Sequence, residues 1–413
     1  MKNALVVGIE RRSKTMLDYD LEEIRNLAHS LGIEVTHSLR QHYRLTTPAT
    51  KVGKGKLEEI VAMHQIHDFD FIIFNEELTN TQIRNLEEEI DTAVLDKTLL
   101  ILEIFARHAH TKEAMLQVEV AQLKYLRPRL SAMRTSFAQQ QGGIGQKGPG
   151  EKKLELDRRK IDKEIHQLEK KLDHIVHVRK TNREKRRASP IKNVAIVGYT
   201  NAGKSTLMNV LLKHAKIDEP KEVSVKDQLF ETLETSTRRI RFKDKKPFTL
   251  TDTIGFISNL PHELVESFKS TLEEIKEADL LLHVVDFSHP YYLDQIETTE
   301  SVLDELGASE IDTVYVFNKI DLVNAVPPPS YSPSVKVSLK NEENIDTLID
   351  VLNDRLFKDD RVVVFKIPQK DGDVVHTVNE YGEVLNTSYE DSTVRIKAKV
   401  SKALRDHLRD YLA

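Results

Sequence analysis

The sequence predicts an α/β protein built around a doubly wound parallel sheet, with smaller domains before and after it in the chain. Between Asn193 and about Phe357, apolar runs (NVAIVG, FTLTDT, LLLHVVD, TVYVFN, VKVS) alternate with amphipathic helical patterns. That alternation is typical of a sheet covered by helices on both faces. A chain of 413 residues also exceeds one ordinary hydrophobic core. We therefore expect several domains, with the doubly wound one at 188–357.

The first segment, residues 1–110, is predicted to be a small α/β domain. Short β-rich runs at Ala4–Val7, Glu34–Leu39 and Phe69–Phe74 alternate with the helical patterns LEEIRNLAHSL and TNTQIRNLEEEI. Such alternation indicates a layer of strands packed against helices.

The second segment, residues 111–187, is predicted to form a long antiparallel helical hairpin. Leu116, Val120, Leu123 and Leu130 recur at steps of four, three and seven, and a similar rhythm runs from Leu154 to Ile175. Two long helices with a short connection pack most simply as a hairpin.

The connection between the two helices, SFAQQQGGIGQKGPGEKK, is rich in glycine and surrounded by positive charge. Between Glu151 and Arg187 there are 14 Lys and Arg against 8 Asp and Glu, in a chain whose net charge is −5. Two interpretations are open: a solvated linker, or a tip that binds nucleic-acid phosphates. The candidate RNA-contacting residues are Arg127, Arg129, Arg134, Lys147, Lys152 and Lys153.

The third segment opens with a phosphate-binding loop. Gly198-x-x-x-x-Gly203-Lys204-Ser205 lies after the strand NVAIV and before the helix STLMNVLLKH, as the P-loop pattern requires. Backbone N–H groups and the helix N-terminus favour phosphate there, while Lys204 reaches the β- and γ-phosphates and Ser205 ligates Mg²⁺. The predicted nucleotide-binding residues are Gly198, Tyr199, Thr200, Asn201, Ala202, Gly203, Lys204, Ser205 and Thr206.

A second element, Asp252-Thr253-Ile254-Gly255, ends the strand FTLT. Asp252 can hold the metal through water, and the Gly255 N–H can sense the γ-phosphate. The stretch between the first two elements, DQLFETLETSTRR, shows no clear period. A threonine within it is expected to close over the γ-phosphate and ligate Mg²⁺, with Thr232, Thr235 and Thr237 as candidates.

The third element is Asn318-Lys319-Ile320-Asp321, directly after the strand TVYVF. The Asp321 carboxylate can accept from guanine N1–H and from its exocyclic amine, whereas adenine offers neither donor at those positions. An unmatched buried carboxylate supports roughly 10⁴- to 10⁵-fold discrimination. Ser338, Leu339 and Lys340 form a candidate base-supporting loop. Together the elements predict an enzyme that hydrolyses GTP to GDP.

Phe256 stands where an active Ras-type hydrolase has a water-orienting glutamine. Phenylalanine cannot hold a water, so unaided hydrolysis is predicted to be slow. The missing group must come from a switch backbone, a monovalent cation or a partner. Asn201 could supply an oxygen ligand to K⁺ beside the phosphates.

Composition excludes several classes. Hydrophobic residues are 39% and charged residues 31%, and no apolar run approaches the roughly 18 residues that span a bilayer. The absence of cysteine excludes disulfides and thiolate-zinc sites and fits a cytoplasmic location. The sequence has neither the C-terminal cysteine of a prenylated trafficking GTPase nor the N-terminal glycine of a myristoylated one.

The last segment, residues 358–413, is predicted to be a small α+β domain of three short strands and a helix.

With these residues in hand, the chain resembles the HflX family of ribosome-associated GTPases over about residues 1–350. The resemblance rests on GYTNAGKST, FETLETSTR, DTIGF and NKID, and more specifically on VGKGKLEEI, LQVEVAQLKYLRPRL and GGIGQKGPGEKKLELDRR. ETLETSTR and SLK depart from the family's usual forms, which predicts at most weaker nucleotide affinity.

The resemblance implies a GTPase that binds the large ribosomal subunit, brings the helical arm near the peptidyl-transferase centre and splits stalled or idle ribosomes. A GTP-dependent large-subunit assembly or anti-association factor is the alternative. The resemblance selects Thr232 as the switch threonine and makes Ser205 and Thr232 the Mg²⁺ ligands. The predicted catalytic residues are Lys204, Thr232 and Gly255. The resemblance extends nucleotide binding to Phe230, Glu231, Thr232, Leu233 and Glu234. We expect a monomer.

The family's first domain suggests a second nucleotide site. Gly53-Lys54-Gly55-Lys56 precedes the helix KLEEIVAMH and could bind a phosphate of ATP or of ribosomal RNA at the helix N-terminus. A simple helix cap with solvated lysines is the favoured interpretation.

Overall fold

The computed structural model describes residues 2–11, 14–138, 158–175, 191–215, 236–243, 245–257, 274–390 and 392–413. Within these ranges, the residues up to 175 belong to one compact unit and those from 191 onward to a second.

The first unit contains a four-stranded parallel sheet with the order β2-β1-β3-β4. Its strands are β1 (Lys2–Glu10), β2 (Ile33–His42), β3 (Phe71–Phe74) and β4 (Ala93–Asp96). Its helices are α1 (Lys14–Ser30), α2 (Lys54–His67), α3 (Asn80–Ile90) and α4 (Lys97–His108). Strand β1 lies between β2 and β3 and is buried along its centre. The small α/β domain that the sequence predicts is confirmed.

Two long helices follow in the same unit, α5 (Lys112–Ala138) and α6, which covers 158–175. Leu116 and Val120 of α5 pack against Leu168 of α6. Ion pairs join Lys124 to Glu169 at 2.9 Å and Arg127 to Asp162 at 2.7 Å. Since the later residue of α5 pairs with the earlier residue of α6, the helices run antiparallel, as the heptad pattern predicts.

The second unit is built on a six-stranded sheet with the order β10-β9-β8-β5-β7-β6. Its strands are β5 (Lys192–Gly198), β6 (Ser236–Ile240), β7 (Phe248–Asp252), β8 (Leu280–Asp286), β9 (Thr313–Asn318) and β10 (Ser334–Lys336). Its helices are α7 (Lys204–His214), α8 (Tyr292–Glu305) and α9 (Ile345–Leu356). Side chains of α7 and α9 join one core cluster, and Ile296 of α8 joins another with Val285 and Phe317. The helices therefore cover both faces, as the predicted doubly wound fold requires.

Strand β6 begins within the stretch DQLFETLETSTRR, whose sequence shows no clear period. Ser236–Ile240 pairs antiparallel with β7, from Ser236 opposite Asp252 to Ile240 opposite Phe248. Only Ile240 of this strand is fully buried, so the segment shows no apolar alternation. The segment is a strand because it is hydrogen-bonded to β7, and its own sequence pattern does not indicate one.

The chain ends in a three-stranded antiparallel sheet with the order β11-β13-β12. Its strands are β11 (Arg361–Pro368), β12 (Glu383–Glu390) and β13 (Thr393–Val400). Two α-helices accompany them, α10 (Gly372–Tyr381) and α11 (Lys402–His407), where the sequence predicted one. Both contribute to the core on one face of the sheet, through Val378 and Leu404.

This terminal sheet is joined to the nucleotide-domain sheet within the second unit. The buried Lys246 ammonium forms an ion pair with the buried Asp360 carboxylate. On β6, Arg239 donates to the Glu380 carboxylate of α10 at 2.9 Å, and the adjoining Arg241 donates to the Glu380 carbonyl. In the described part of the chain, no helix combines the length and hydropathy that crossing a membrane requires.

Candidate nucleotide-binding site

The phosphate loop joins β5 to α7 at the carboxyl edge of the sheet. Gly198 adopts φ +143°, and a Cβ there would lie 2.2 Å from the Val284 carbonyl oxygen of the neighbouring strand. At Gly203, where φ is +105°, a Cβ would lie 2.5 Å from Asn318 Nδ2. Asn201 is exposed and has φ +59°. Gly198 and Gly203 are therefore both required, because each has a positive φ and a close neighbour, the Val284 backbone at Gly198 and the Asn318 side chain at Gly203.

Lys204 lies at the start of α7 with its ammonium folded into the loop, where Nζ donates to the Tyr199 carbonyl at 2.7 Å. Burial lowers the pKa of Lys204 to about 8, and the nearby Asp252 charge partly opposes that shift. A Cβ on Gly255 would lie 2.8 Å from the Lys204 ammonium, so these two predicted site residues are adjacent.

Ser205 and Asp252 also meet, because β7 lies directly beside β5. Ser205 Oγ donates to Asp252 Oδ2 at 2.9 Å, and Asp252 is fully buried. Thr253 faces the sheet instead, donating its hydroxyl to the Ile196 carbonyl at 2.6 Å. A hydroxyl beside a carboxylate is an oxygen donor set that suits Mg²⁺ with its retained waters.

Phe256 is tied to the phosphate loop through its backbone. Its carbonyl accepts from Thr200 N at 2.7 Å, and its N–H donates to the Gly198 carbonyl at 3.1 Å. The side chain is 1% exposed. The position that would carry a water-orienting glutamine is thus a core position with no polar side chain.

Asn318 connects the two halves of the site. Its Nδ2 donates to the Ala202 carbonyl of the phosphate loop at 2.9 Å, and its Oδ1 accepts from Leu339 N at 3.1 Å. The Asp321 carboxylate accepts from Ser338 Oγ at 2.6 Å. The loop of Ser338, Leu339 and Lys340 therefore lies against the NKID segment, as the sequence suggested.

Two residues near the site carry no motif signal. Asp286, at the end of β8, binds the Lys319 ammonium at 2.6 Å and so fixes the turn in which Lys319 has φ +66°. His283, on the same strand, is buried, and burial lowers its pKa to about 3, with the Lys204 charge acting in the same direction. Asp286 could have been identified from the sequence by its position at the end of β8, the strand beside β9.

The remaining predicted residues divide into three groups. Phe230, Glu231, Thr232, Leu233, Glu234, Lys147, Lys152 and Lys153 lie outside the described residues, as does Thr235. Arg129 and Arg134 lie on α5 in a part whose side chains are not described. Thr237 belongs to β6, where its hydroxyl is 3.0 Å from that of Thr251, which places it in the sheet rather than over a phosphate.

The lysines at the start of α2 fit the helix-cap interpretation. Lys54 lies 4.0 Å from Glu58 with its side chain largely exposed, and Lys56 binds Glu59 at 2.6 Å. Gly53 provides the cap position without a side-chain hydrogen bond.

Family models match three successive parts of the chain. They describe a GTP-binding GTPase N-terminal region at residues 18–106, a GTP-binding GTPase middle region at 108–186 and a 50S ribosome-binding GTPase at 193–319. The GTPase HflX of Caldanaerobacter subterraneus is 42% identical over 392 residues, covering 95% of this chain and 90% of that protein. The GTPase HflX of Escherichia coli is 38% identical over 359 residues, covering 86% and 83%.

A solved structure is also similar, that of a GTP-binding protein from the archaeon Sulfolobus solfataricus in complex with GDP. It is 24% identical, with a TM-score of 0.47, and the alignment covers 87% of this chain and 99% of that one. A likeness at this level adds nothing to the argument from the site.

Proposed function

The chain belongs to the HflX family of GTPases, and from that premise we propose that it binds the large ribosomal subunit and uses GTP hydrolysis to split stalled or idle ribosomes. The family makes it a P-loop enzyme that hydrolyses GTP. The ribosomal partner and the splitting reaction are the proposed part.

Phe256 is the observation that carries the proposal. Its side chain is buried and its backbone is committed to the phosphate loop, so no side chain at this position can orient the attacking water. Hydrolysis by such a site depends on a group supplied from elsewhere. The similarity of residues 193–319 to a domain described as a 50S ribosome-binding GTPase supports the large subunit as the source.

The chain's own residues divide the chemistry among them. Lys204 exchanges its bond to the Tyr199 carbonyl for β- and γ-phosphate oxygens and neutralises charge there. Gly255, next to that ammonium, presents its N–H to the γ-phosphate. Ser205 would hold Mg²⁺ directly and Asp252 through water, with Thr232 as the second direct ligand. Held by these residues, Mg²⁺ would supply positive charge that stabilises the phosphate oxygens during transfer.

Potassium is the proposed second cation, beside the exposed Asn201. The Asn201 side-chain oxygen and the loop carbonyls offer the type of oxygen ligand that a monovalent cation requires. Hydrolysis is then expected to be faster in KCl than in NaCl of equal ionic strength, and Asn201→Ala should remove the difference. Equal rates of the wild-type protein in the two salts would exclude this role.

The decisive experiment measures GTP hydrolysis alone, with large subunits and, as a control, with small subunits. We expect stimulation by the large subunit only, and none for Lys204→Ala. The absence of stimulation would contradict the proposal.

Sucrose gradients then separate splitting from the alternative role in subunit assembly or anti-association. Splitting predicts that the protein with GTP converts intact ribosomes into subunits. Binding to free large subunits with intact ribosomes left unchanged would favour the assembly role instead.

A further inference from the structure

The terminal three-stranded sheet has one covered face and one open face. Along its central strand β13, Val394, Ile396, Ala398 and Val400 are buried against the helices. The alternate residues point the other way, and of these Arg395 and Lys397 are exposed and Lys399 is half-buried. Positive charge therefore runs along the middle of the open face.

The strand register fixes the neighbours of these cations. On β11, Lys366 lies opposite Arg395 and Val364 lies opposite Lys397. On β12, Ser388 and Asn386 occupy the corresponding positions. The open face, defined as the outward side chains of the three strands, consists of Val362, Val364, Lys366, Asn386, Ser388, Arg395, Lys397 and Lys399, with Glu383 and Glu390 at its margins.

Among the residues that the structure describes, the acidic groups of this face lie at its margins. Glu390 lies 3.7 Å from Lys366, and Glu383 is paired in register with Lys399 at the opposite corner. Among the described residues, no ion pair to Arg395 or Lys397 is found. The centre of the open face is thus a cationic row, flanked by the uncharged polar side chains of β12 on one side and by Lys366 and Val364 of β11 on the other.

Protection of a sheet edge does not account for the three cations of β13. Lysines that block unwanted strand pairing belong on edge strands such as β11, which carries Lys366, whereas β13 is paired on both sides. Placing Lys366 directly opposite Arg395 is unfavourable, since like charges facing each other across two strands destabilise a sheet. A feature that costs stability at the centre of a sheet is explained if an anionic ligand relieves the repulsion.

We infer that the open face is a binding surface for the phosphate backbone of RNA. Arg and Lys with neighbouring Ser and Asn are the side chains that contact nucleic-acid phosphates and sugars. A protein partner is less suited, because lysine is depleted at the centre of protein interfaces and aromatic anchors are enriched there. The choice of RNA over DNA rests on the proposed ribosomal function, whereas the phosphate chemistry rests on the face itself.

The test compares the full-length protein with the variant Lys366→Gln/Arg395→Gln/Lys397→Gln. Binding to fluorescein-labelled poly(U) is measured by anisotropy across a KCl series. Each lost phosphate contact reduces the slope of log K against log salt by about 0.7 for a single strand, so the triple variant should lose about 2. Residues of the hairpin tip are the same in both proteins and do not affect this difference.

A matched control removes three exposed cations of the same domain that lie off the open face, in Lys370→Gln/Lys402→Gln/Arg409→Gln. Its salt slope should match that of the wild-type protein. Equal slopes for all three proteins would overturn the inference, as would equal losses in the two triple variants.

Poly-L-glutamate serves as the probe for an acidic protein, and poly(dT) as the probe for DNA. Stronger dependence on the three cations for either probe than for poly(U) would overturn the assignment to RNA. Should the triple variant fail to fold, Lys397→Gln alone is expected to reduce the poly(U) slope by about 0.7. Ribosome-stimulated hydrolysis is measured separately, so its failure is distinguishable from failure of RNA binding.

Discussion

In the part of the chain that the structure describes, the Asp321 carboxylate accepts one hydrogen bond, from the Ser338 hydroxyl at 2.6 Å. No described residue engages its second oxygen, which is therefore available to a base. A carboxylate recognises guanine by accepting two N–H donors. An amide in its place could accept one and donate one, which fits a base with a carbonyl where guanine has its amine.

We predict that Asp321→Asn lowers GTP affinity by at least about 100-fold and makes xanthosine triphosphate the better ligand, because the amide N–H faces the xanthine carbonyl. Competition with a fluorescent guanine nucleotide measures both affinities. Ser338→Ala is the control that loosens the carboxylate without changing its chemistry, and it should weaken both nucleotides alike. A variant that still prefers GTP would disprove guanine recognition by Asp321.

Lys204 gives the site a pH dependence. Burial lowers its pKa to about 8 in the protein without nucleotide, and phosphate oxygens favour the charged ammonium. Below that pKa the ammonium is charged before the nucleotide arrives. Above it, binding must take up a proton, so affinity falls as the pH rises.

GDP affinity is accordingly expected to stay constant from about pH 6.5 to 7.5 and to fall above about pH 8, with a limiting slope of tenfold per pH unit. Calorimetry in buffers of different ionisation enthalpy should detect proton uptake at the higher pH. The exposed Lys213→Gln variant should retain the same profile. Affinity and proton uptake that do not change up to about pH 8.5 would contradict this role of Lys204.

At the scale of elements, one buried carboxylate joins α5 to the end of a strand of the first sheet. Asp96 ends β4 and is fully buried, and it accepts from the N–H groups of Leu78 at 3.1 Å and Leu99 at 3.0 Å. Tyr125 of α5 donates its hydroxyl to the same carboxylate. The long helix is thereby fixed to the end of a strand.

Tyr125→Phe is predicted to destabilise the first unit by about 1.5–3 kcal/mol, the range for a hydrogen bond to a charged group. Tyr389→Phe, which changes a largely exposed tyrosine, should be close to neutral. Urea unfolding monitored by hydrogen exchange of α5 would measure the difference. Equal stability of the two variants would show that the Tyr125 hydroxyl does not fasten the helix.

Most elements of the fold could be predicted because their sequences carry their own periodic signal. The paired helices α5 and α6 and the central strands β5, β8 and β9 are apolar at positions set by geometry. Strand β6 could not be predicted, because its residues are mostly polar and it becomes a strand by pairing with β7. The four-residue β4 is too short for a pattern and is defined by β3 beside it.

The same division applies to the site. Its motif residues were identifiable because each loop follows a predicted strand, so their approximate location follows from topology. The hydrogen bonds that join one loop to another could not be identified from the sequence. The contacts of Asn318 with Ala202 and Leu339, and of Asp286 with Lys319, join segments separated by 21 to 116 residues. Spacing along the chain carries no information about such pairs.

At the scale of the whole molecule, a buried ion pair joins the nucleotide domain to the terminal sheet. Lys246 and Asp360 each have only 4% of the side chain exposed. Burial lowers the pKa of Lys246, and the Asp360 carboxylate opposes that shift. Removing one partner leaves the other buried and uncompensated.

We predict that Lys246→Met destabilises the second unit by about 3–5 kcal/mol, whereas Lys246→Met/Asp360→Leu recovers much of the loss because no charge stays buried. A double-mutant cycle from thermal unfolding in saturating GDP gives the coupling energy. The Lys358–Asp312 pair, whose side chains are 52% and 25% exposed, is the control and should show little coupling. Additive effects at Lys246 and Asp360 would disprove the proposed dependence.

Asn318 has a consequence for how such a pocket can diverge over generations of sequence change. One amide group satisfies both the phosphate loop and the base loop, through Ala202 and Leu339. A descendant can alter its base preference at Asp321 and still bind phosphate, because the hydrogen bond of Asp321 in the described part of the chain is to Ser338 of the base loop. A change at Asn318 impairs both phosphate binding and base binding, and a substitution in either loop alone does not restore them. We therefore expect Asn318 to tolerate little substitution and its neighbours to tolerate more.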